Sequence, residues 1–273
     1  MPTVHLVGGE DGLTINMKVF KSKPKNFAYF LYRLINPIFD PVKSLQGIRG
    51  YFWYIKDLVR YMIKDPKIKL INTNLYPILS DKTSFTSFDA HYFYHQLWAF
   101  EHILKRRPKM HVDVGSAYQL IGFLSKITKV VFIDIRPMQI SLKNFIPKEG
   151  SILDLPYKDN SIESLSCLHV AEHIGLGRYG DPIDPYGTKN ACKELTRVLA
   201  KNGLLYFCLP IGKNRTCFNA HRVHTPDTII NYFKGLKLIE FSAVDDNGDY
   251  IPNANPKKFN NIDYGCGMFL FKK

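Results

Sequence analysis

Three aspartates stand where apolar runs end: Asp113 in "MHVDVG", Asp134 in "KVVFIDIR" and Asp154 in "SILD". An ionised carboxylate only accepts hydrogen bonds, so at a strand end it can hold an ammonium, a sugar hydroxyl or an amino group of a base. Gly115 lets backbone come close to a ligand, while Asp113 can accept from loop amides or from a ligand ammonium. Asp134 follows about twenty residues later, a spacing suited to a carboxylate that bonds ribose hydroxyls. Asp154 could accept from an adenine amino group, with Leu155 against the ring. Aspartate is common wherever a strand enters a turn, so the succession of the three says more than any one.

Two polar stretches could carry the reacting groups. "LHVAEHIGLGRYGDPIDPYG" gathers His169, Glu172, His173, Arg178, Tyr179, Asp181 and Asp184, with glycines at 175, 177 and 180 to bend the chain. "NRTCFNAHR" adds Arg215, Asn219, His221 and Arg222. Histidine titrates near neutral pH and a carboxylate can orient it, so His173 and His221 are the candidate bases. "EH" at this place can equally be a structural pair. Arg178 and Arg222 suit bidentate binding of phosphate or carboxylate, or else salt bridges to Asp181 or Asp184. Tyr179 and Asp181 complete the candidate catalytic set, and His169 is grouped with the ligand-holding aspartates. The five cysteines are scattered, with no C-x-x-C pair and no histidine at metal-ligand spacing, so no metal site is expected. Cys167 and Cys208 sit in apolar runs and read as buried thiols in a reducing compartment.

The elements that must position these residues lie in a segment of alternating character, residues 109–273. Strand-like runs are "MHVDVG", "KVVFIDIR", "SILD", "IESLSCLHV", "GLLYFCLP", "LKLIEFSAV" and "GMFLFKK". Helical stretches fall between most of them, notably "KNACKELTRVLAKNG" with Gly203 as its closing residue. Apolar strands alternating with helices predict an α/β fold with a mostly parallel sheet covered on both faces. The last two runs are joined only by an irregular Asn- and Pro-rich segment, which predicts an antiparallel last strand. Residues 1–108 are read as an aromatic-rich helical extension. Its helical stretches are "NFAYFLYRLINPIFD", "GIRGYFWYIKDLVRYMIKD" and "SFDAHYFYHQLWAFEHILKRR"; "TVHLVGGEDGLTINM" reads as two short strands around a Gly-Gly turn. Such basic, aromatic helices suit contact with a membrane surface or a cap on the main domain. Pro37, Pro41 and Pro66 interrupt long interfacial helices and favour the cap.

"VDVGS", "FIDIRP", "DLPYKDNSIESL", "CLHVAEH" and "ELTRVLAKNGLLYFCLP" together resemble the class I S-adenosylmethionine-dependent methyltransferases over about residues 109–273. The resemblance implies a Rossmann-like fold of seven strands, S-adenosyl-L-methionine as cofactor, and a lining of Gly115, Ser116, Asp134, Asp154 and Leu155. The chain departs from that pattern where Ala117 and Gln119 replace further glycines of the first loop. A narrower resemblance, carried by "AEHIGLGRYGDPIDPYGTKNACKE" and "CFNAHRVHTPDTI", is to a bacterial family of unknown function found among cell-surface polysaccharide genes.

Charge narrows the acceptor. Lys and Arg number 37 against 24 Asp and Glu, a formal net charge of +13, which favours anionic partners. No N-P-P-Y-like motif and no contiguous basic stripe is present, so nucleic acid is not the expected substrate. The reading is an enzyme that O-methylates a small phosphorylated or sugar acceptor in surface-polysaccharide synthesis. Its alternatives are a methyltransferase fold without catalysis and a nucleic-acid methyltransferase. The first residues hold no signal-like apolar run, and no stretch reaches the roughly 18 apolar residues of a spanning helix. A cytoplasmic chain is therefore expected.

Overall fold

A computed structural model describes residues 27–65, 67, 74–84 and 86–273. The strand pair expected in "TVHLVGGEDGLTINM" lies outside the described residues. The chain divides into two compact units, Met1–Phe88 and Asp89–Lys273.

The first unit contains helices α1 (Phe27–Ile35) and α2 (Pro41–Lys64). Asp40 caps α2 by accepting from the Val42 and Lys43 amides, at 3.0 and 3.1 Å. Pro41 thus starts this helix rather than interrupting one, because its missing N–H falls where no intrahelical bond is made. Lys82 binds Asp57 of α2 at 2.8 Å and lies over the Trp53 ring, fastening the segment that follows.

The second unit opens with α3 (Ala90–Arg106), capped by Asp89 accepting from the Tyr92 amide. The aromatic rhythm of α3 groups it with the N-terminal extension, yet it belongs to the unit that holds the sheet. There follow β1 (Met110–Val114), α4 (Tyr118–Leu124), β2 (Lys129–Asp134), β3 (Phe145–Glu149), β4 (Ile162–Leu168), α5 (Gly187–Val198) and β5 (Leu199–Ile211). The chain continues through β6 (Arg215–Cys217), β7 (His221–Val223), α6 (Pro226–Tyr232), β8 (Lys237–Val244), β9 (Tyr250–Ile251) and β10 (Gly265–Lys272). The main sheet runs β3-β2-β1-β4-β5-β10-β8-β9. Its first five strands are parallel, and β10 is antiparallel to both β5 and β8. This is the α/β Rossmann-like methyltransferase fold, extended by the two-residue edge strand β9.

Two local expectations are corrected. The third strand is Phe145–Glu149, pairing Val130 with Phe145 through Asp134 with Glu149. "SILD" is instead a turn closed by the Asp154 amide on the Ser151 carbonyl. Pro147 and the flanking charges hide β3 from a pattern reading; an edge strand tolerates them because only one side is paired. Gly203 does not close α5, which ends at Val198, but lies within β5.

Strand alternation builds two cores. Val112, Val131, Leu205, Phe207, Phe269 and Phe271 face α5 and α6. Val130, Phe132, Tyr206, Cys208, Cys266 and Met268 face α3 and α4 with Trp98, Ile103 and Ile121. Successive side chains point to opposite faces, so every central strand must be apolar throughout. Glu240 on β8 ties α3 down by accepting from Trp98 Nε1 at 2.9 Å, with His102 Nε2 at 3.0 Å.

Candidate functional site

A pocket of about 270 Å³ opens beyond the C-terminal ends of β1, β2 and β4. Its lining comes from the loop Gly115–Tyr118, from Asp134, Arg136 and Met138 after β2, from His169 and His173 after β4, and from Tyr92 of α3.

The first loop is held from beneath. Asp113 is fully buried: one carboxylate oxygen accepts from the Ser116 amide at 2.9 Å, the other from the Ser166 hydroxyl. Burial raises its carboxyl to about 6, against the lowering effect of those donors. Of the two roles open to Asp113, the structure gives it the inward one, holding loop amides rather than reaching a ligand. Ser116 Oγ accepts from the Leu168 amide at 3.1 Å and so links the loop to β4. Gly115 has φ +68°, a left-handed conformation that disfavours side chains, and a Cβ there would lie 3.2 Å from both Val170 methyls. Ala117, φ −61°, needs no glycine to start α4.

Asp134 lines the pocket, its Oδ1 fixed by the Arg136 amide at 2.7 Å. A Cβ on Gly115 would stand 3.6 Å from Asp134 Oδ2, so that oxygen faces the loop. Asp154 and Leu155 do not join this lining. Asp154 is exposed in its turn, while Leu155 is buried in the core and donates its amide to Glu194 Oε1 at 2.7 Å. Arg197 pairs with Glu194 and donates to the Leu155 and Tyr157 carbonyls, locking the segment. The "TRVL" run therefore braces the turn after β3.

The β4–α5 loop is organised by its own polar groups. Asp181 accepts from the Gly175 amide at 2.6 Å and the Tyr179 amide at 3.3 Å. Slight burial would raise its carboxyl, but these backbone donors hold it below the usual range. Each oxygen of Asp181 thus holds an amide of its own loop. Arg222 is buried and donates to the Ile174 and Asp184 carbonyls, the latter at 2.8 Å. Arg178 is exposed, donating to the Ala220 carbonyl at 3.0 Å. The guanidinium groups of Arg136 and Arg178 stand 4.9 and 5.1 Å from the centre of the Tyr179 ring, and Tyr179 and Arg136 line the pocket.

The two candidate bases separate. His173 lines the pocket and its Nδ1 sits 2.6 Å from the Ala220 carbonyl, so Nδ1 carries the proton and Nε2 the lone pair. His221 is outside the lining, beside the Tyr264 ring, and burial lowers it to about 4. His169 lies at the pocket wall with its side chain 6% exposed. Its Nδ1 is 2.9 Å from Glu172 Oε1 and its Nε2 is 3.4 Å from Cys266 Sγ. Burial would lower its pKa, but the Cys266 sulfur and the Glu172 carboxylate outweigh that and raise it to about 10. Tyr118, which the sequence offers as the start of the next helix and a group closing the pocket, does both, whereas Tyr92, Phe132, Arg136 and Met138 escaped the sequence reading. Phe132 and Arg136 stand within "FIDIRP" and Met138 directly follows it.

A family model described as "Caenorhabditis protein of unknown function, DUF268" matches residues 153–259. No match was found among curated proteins. Among solved structures the chain is similar to N-methyltransferase NodS from Bradyrhizobium japonicum in complex with S-adenosyl-L-homocysteine, at 14% identity and TM-score 0.47, over 74% of this chain and 93% of that one. It is also similar to the [4+2]-cyclase SpnF, at 12% identity and TM-score 0.47, over 65% and 80%. A third, the YcgJ protein from Bacillus subtilis, has 11% identity and TM-score 0.45 over 65% and 98%. The strand order, not these distant likenesses, carries the fold assignment.

Proposed function

We propose that the pocket binds S-adenosylmethionine and that the chain transfers its methyl group to a small anionic or sugar-based acceptor. The observation that carries this reading is the pocket's place. It lies beyond β1 and β4, where the strand order reverses, with the Asp134 carboxylate facing the Gly115 loop. Ligands of open α/β sheets collect at that crevice. When bound, the cofactor supplies a methyl group made electrophilic by its sulfonium.

The chain's own residues have separable tasks. Asp134 Oδ2 is available to ribose hydroxyls because Oδ1 is held by backbone. Gly115–Ala117 offer close backbone approach to the amino-acid part, and Phe132 and Met138 give apolar lining. His173 Nε2 can take a proton from a hydroxyl acceptor, a contribution of about 10²–10⁴-fold for a general base. An acceptor that is already an anion needs no base; Arg136 and Arg178 then supply the attraction. The sugar-type acceptor and a role in surface-polysaccharide synthesis rest on the narrower resemblance of the two polar loops.

Calorimetry with S-adenosylmethionine and its demethylated product tests the reading. Asp134→Ala should weaken binding by about 1.5–3 kcal/mol, the worth of a charge-assisted hydrogen bond. Absence of binding to the native chain would favour a methyltransferase fold kept for other contacts. Unchanged affinity in a folded Asp134→Ala chain would take Asp134 out of the site.

A further inference from the structure

Four donors from distant parts of the chain meet under α3: His95 of α3, His169 after β4, Cys208 of β5 and Cys266 of β10. Their ligating atoms all lie within 4.8 Å of one another. The two sulfurs are 3.2 Å apart, and His169 Nε2 is 3.4 Å from Cys266 Sγ. Bond lengths of about 2.0–2.1 Å to nitrogen and 2.3 Å to sulfur give a tetrahedron with edges of roughly 3.3–3.8 Å. Shifts of a few tenths of an ångström to about one ångström in side chains would reach it.

The imidazoles are oriented as ligands. His95 Nδ1 lies 2.7 Å from the His91 carbonyl, so it must donate, and the lone pair falls on Nε2. That Nε2 is buried and has no hydrogen-bond partner. A buried polar atom left unpaired is costly, and a bond to a cation would remove that cost. His169 repeats the arrangement, with Nδ1 donating to Glu172 Oε1 and Nε2 turned to the sulfurs. A carbonyl or carboxylate behind the far nitrogen is the usual outer support of a metal-bound histidine.

We propose that His95, His169, Cys208 and Cys266 bind one zinc ion in a closed tetrahedral site that fastens α3 to the sheet. Two thiolates and two imidazoles are the donor set zinc favours, and two thiolates neutralise its charge in a buried place. With four protein ligands no coordination position is open, so the ion is structural. The site adjoins the cofactor pocket through His169, whose ring stacks on Tyr92 at 5.2 Å between centroids.

The full chain, purified under reducing conditions, should contain about one zinc per molecule by elemental analysis. Chelation should lower its thermal midpoint, and zinc chloride alone should restore it. Cobalt chloride added to the stripped chain should give the visible bands of tetrahedral Co²⁺ and a thiolate charge-transfer band in the near ultraviolet. Cys266→Ser and Cys208→Ser should each weaken that charge-transfer band, and Glu172→Gln should lower zinc affinity about 10–100-fold. The native chain's cobalt spectrum decides the matter even if these variants fail to fold. A reduced native chain that binds neither ion would overturn the proposal. So would a cobalt–thiolate band unchanged in a folded Cys266→Ser chain, or a Cys208–Cys266 disulfide formed without added oxidant. None of these readouts involves S-adenosylmethionine.

Discussion

Arg178 and Arg222 are the same residue type in neighbouring polar loops, yet burial assigns them different work. The Arg222 guanidinium points inward and satisfies two carbonyls of the β4–α5 loop, of Ile174 and Asp184. Arg222→Met would strip the Ile174 carbonyl of this donor and leave the Asp184 carbonyl only the Gly187 amide, so stability should fall by about 1–3 kcal/mol. Arg178 is exposed and makes one bond to a carbonyl. Its replacement by Ala should change stability by no more than about 0.5 kcal/mol. Chemical denaturation of the two variants checks the contrast, and equal losses would refute it. The arginines were legible as cations beside the site, but not their direction. Only the fold shows that Arg136 and Arg178, rather than Arg222, flank Tyr179.

At the scale of elements, the β4–α5 loop must turn tightly to set His173 and Tyr179 at the pocket. Gly175 is where it turns: φ is +79°, and a Cβ would fall 2.1 Å from the Asp184 carbonyl oxygen. Gly175→Ala therefore needs the loop backbone to move and should cost more than the ~1–2 kcal/mol of a left-handed conformation alone. Gly122 offers the opposite case, inside α4 with open space around its Cβ position. Gly122→Ala should stabilise the chain by about 0.5–1 kcal/mol through helix propensity. Thermal unfolding should rank the two on opposite sides of the native midpoint. The glycine-rich spelling of "HIGLGRYG" announces a bent loop, but which glycine is indispensable depends on Asp184 returning against it.

For the molecule as a whole, buried histidines set an acid limit. His111 is enclosed between the Ser164 and Ser166 hydroxyls, each 2.8 Å from a ring nitrogen, and burial lowers it to about 3. His224 is lowered to about 4 by burial and by the Arg222 charge. The unfolded chain takes up these protons near pH 6.5 and the folded chain refuses them. Their stabilisation is therefore complete above about pH 6.5 and is lost as pH falls towards 4, at up to about 1.4 kcal/mol per unit and site. Asp113 works in the opposite sense, since its raised carboxyl favours the folded chain at low pH and that contribution is lost as pH rises through about 6. His169, raised to about 10, works in the same sense as Asp113, but the three lowered histidines, His111, His221 and His224, outweigh the two, so denaturant stability should be lower at about pH 5 than at about pH 7.5. His111→Gln should flatten that slope, whatever it does to stability itself. A slope unchanged by the substitution would show that His111 does not govern it.

The sequence by itself determined the class of fold, since a strand covered on both faces must be apolar at successive positions, and that pattern is local. It also determined that Gly115 and Asp134 stand at strand ends. It misplaced the third strand because an edge strand is free of the same demand. Tertiary structure alone decided which polar groups meet. Asp113 and Arg222 turn inward, Asp154 and Leu155 stand away from the pocket, and Tyr92 reaches it from a helix read as part of another segment. The gathering of His95, His169, Cys208 and Cys266 is the extreme case. Cys208 and Cys266 become neighbours only because β10 inserts antiparallel between β5 and β8, and His95 joins them only because α3 packs on that face. Strand order and helix docking are settled by contacts far apart in the chain, and no spacing along the sequence records them.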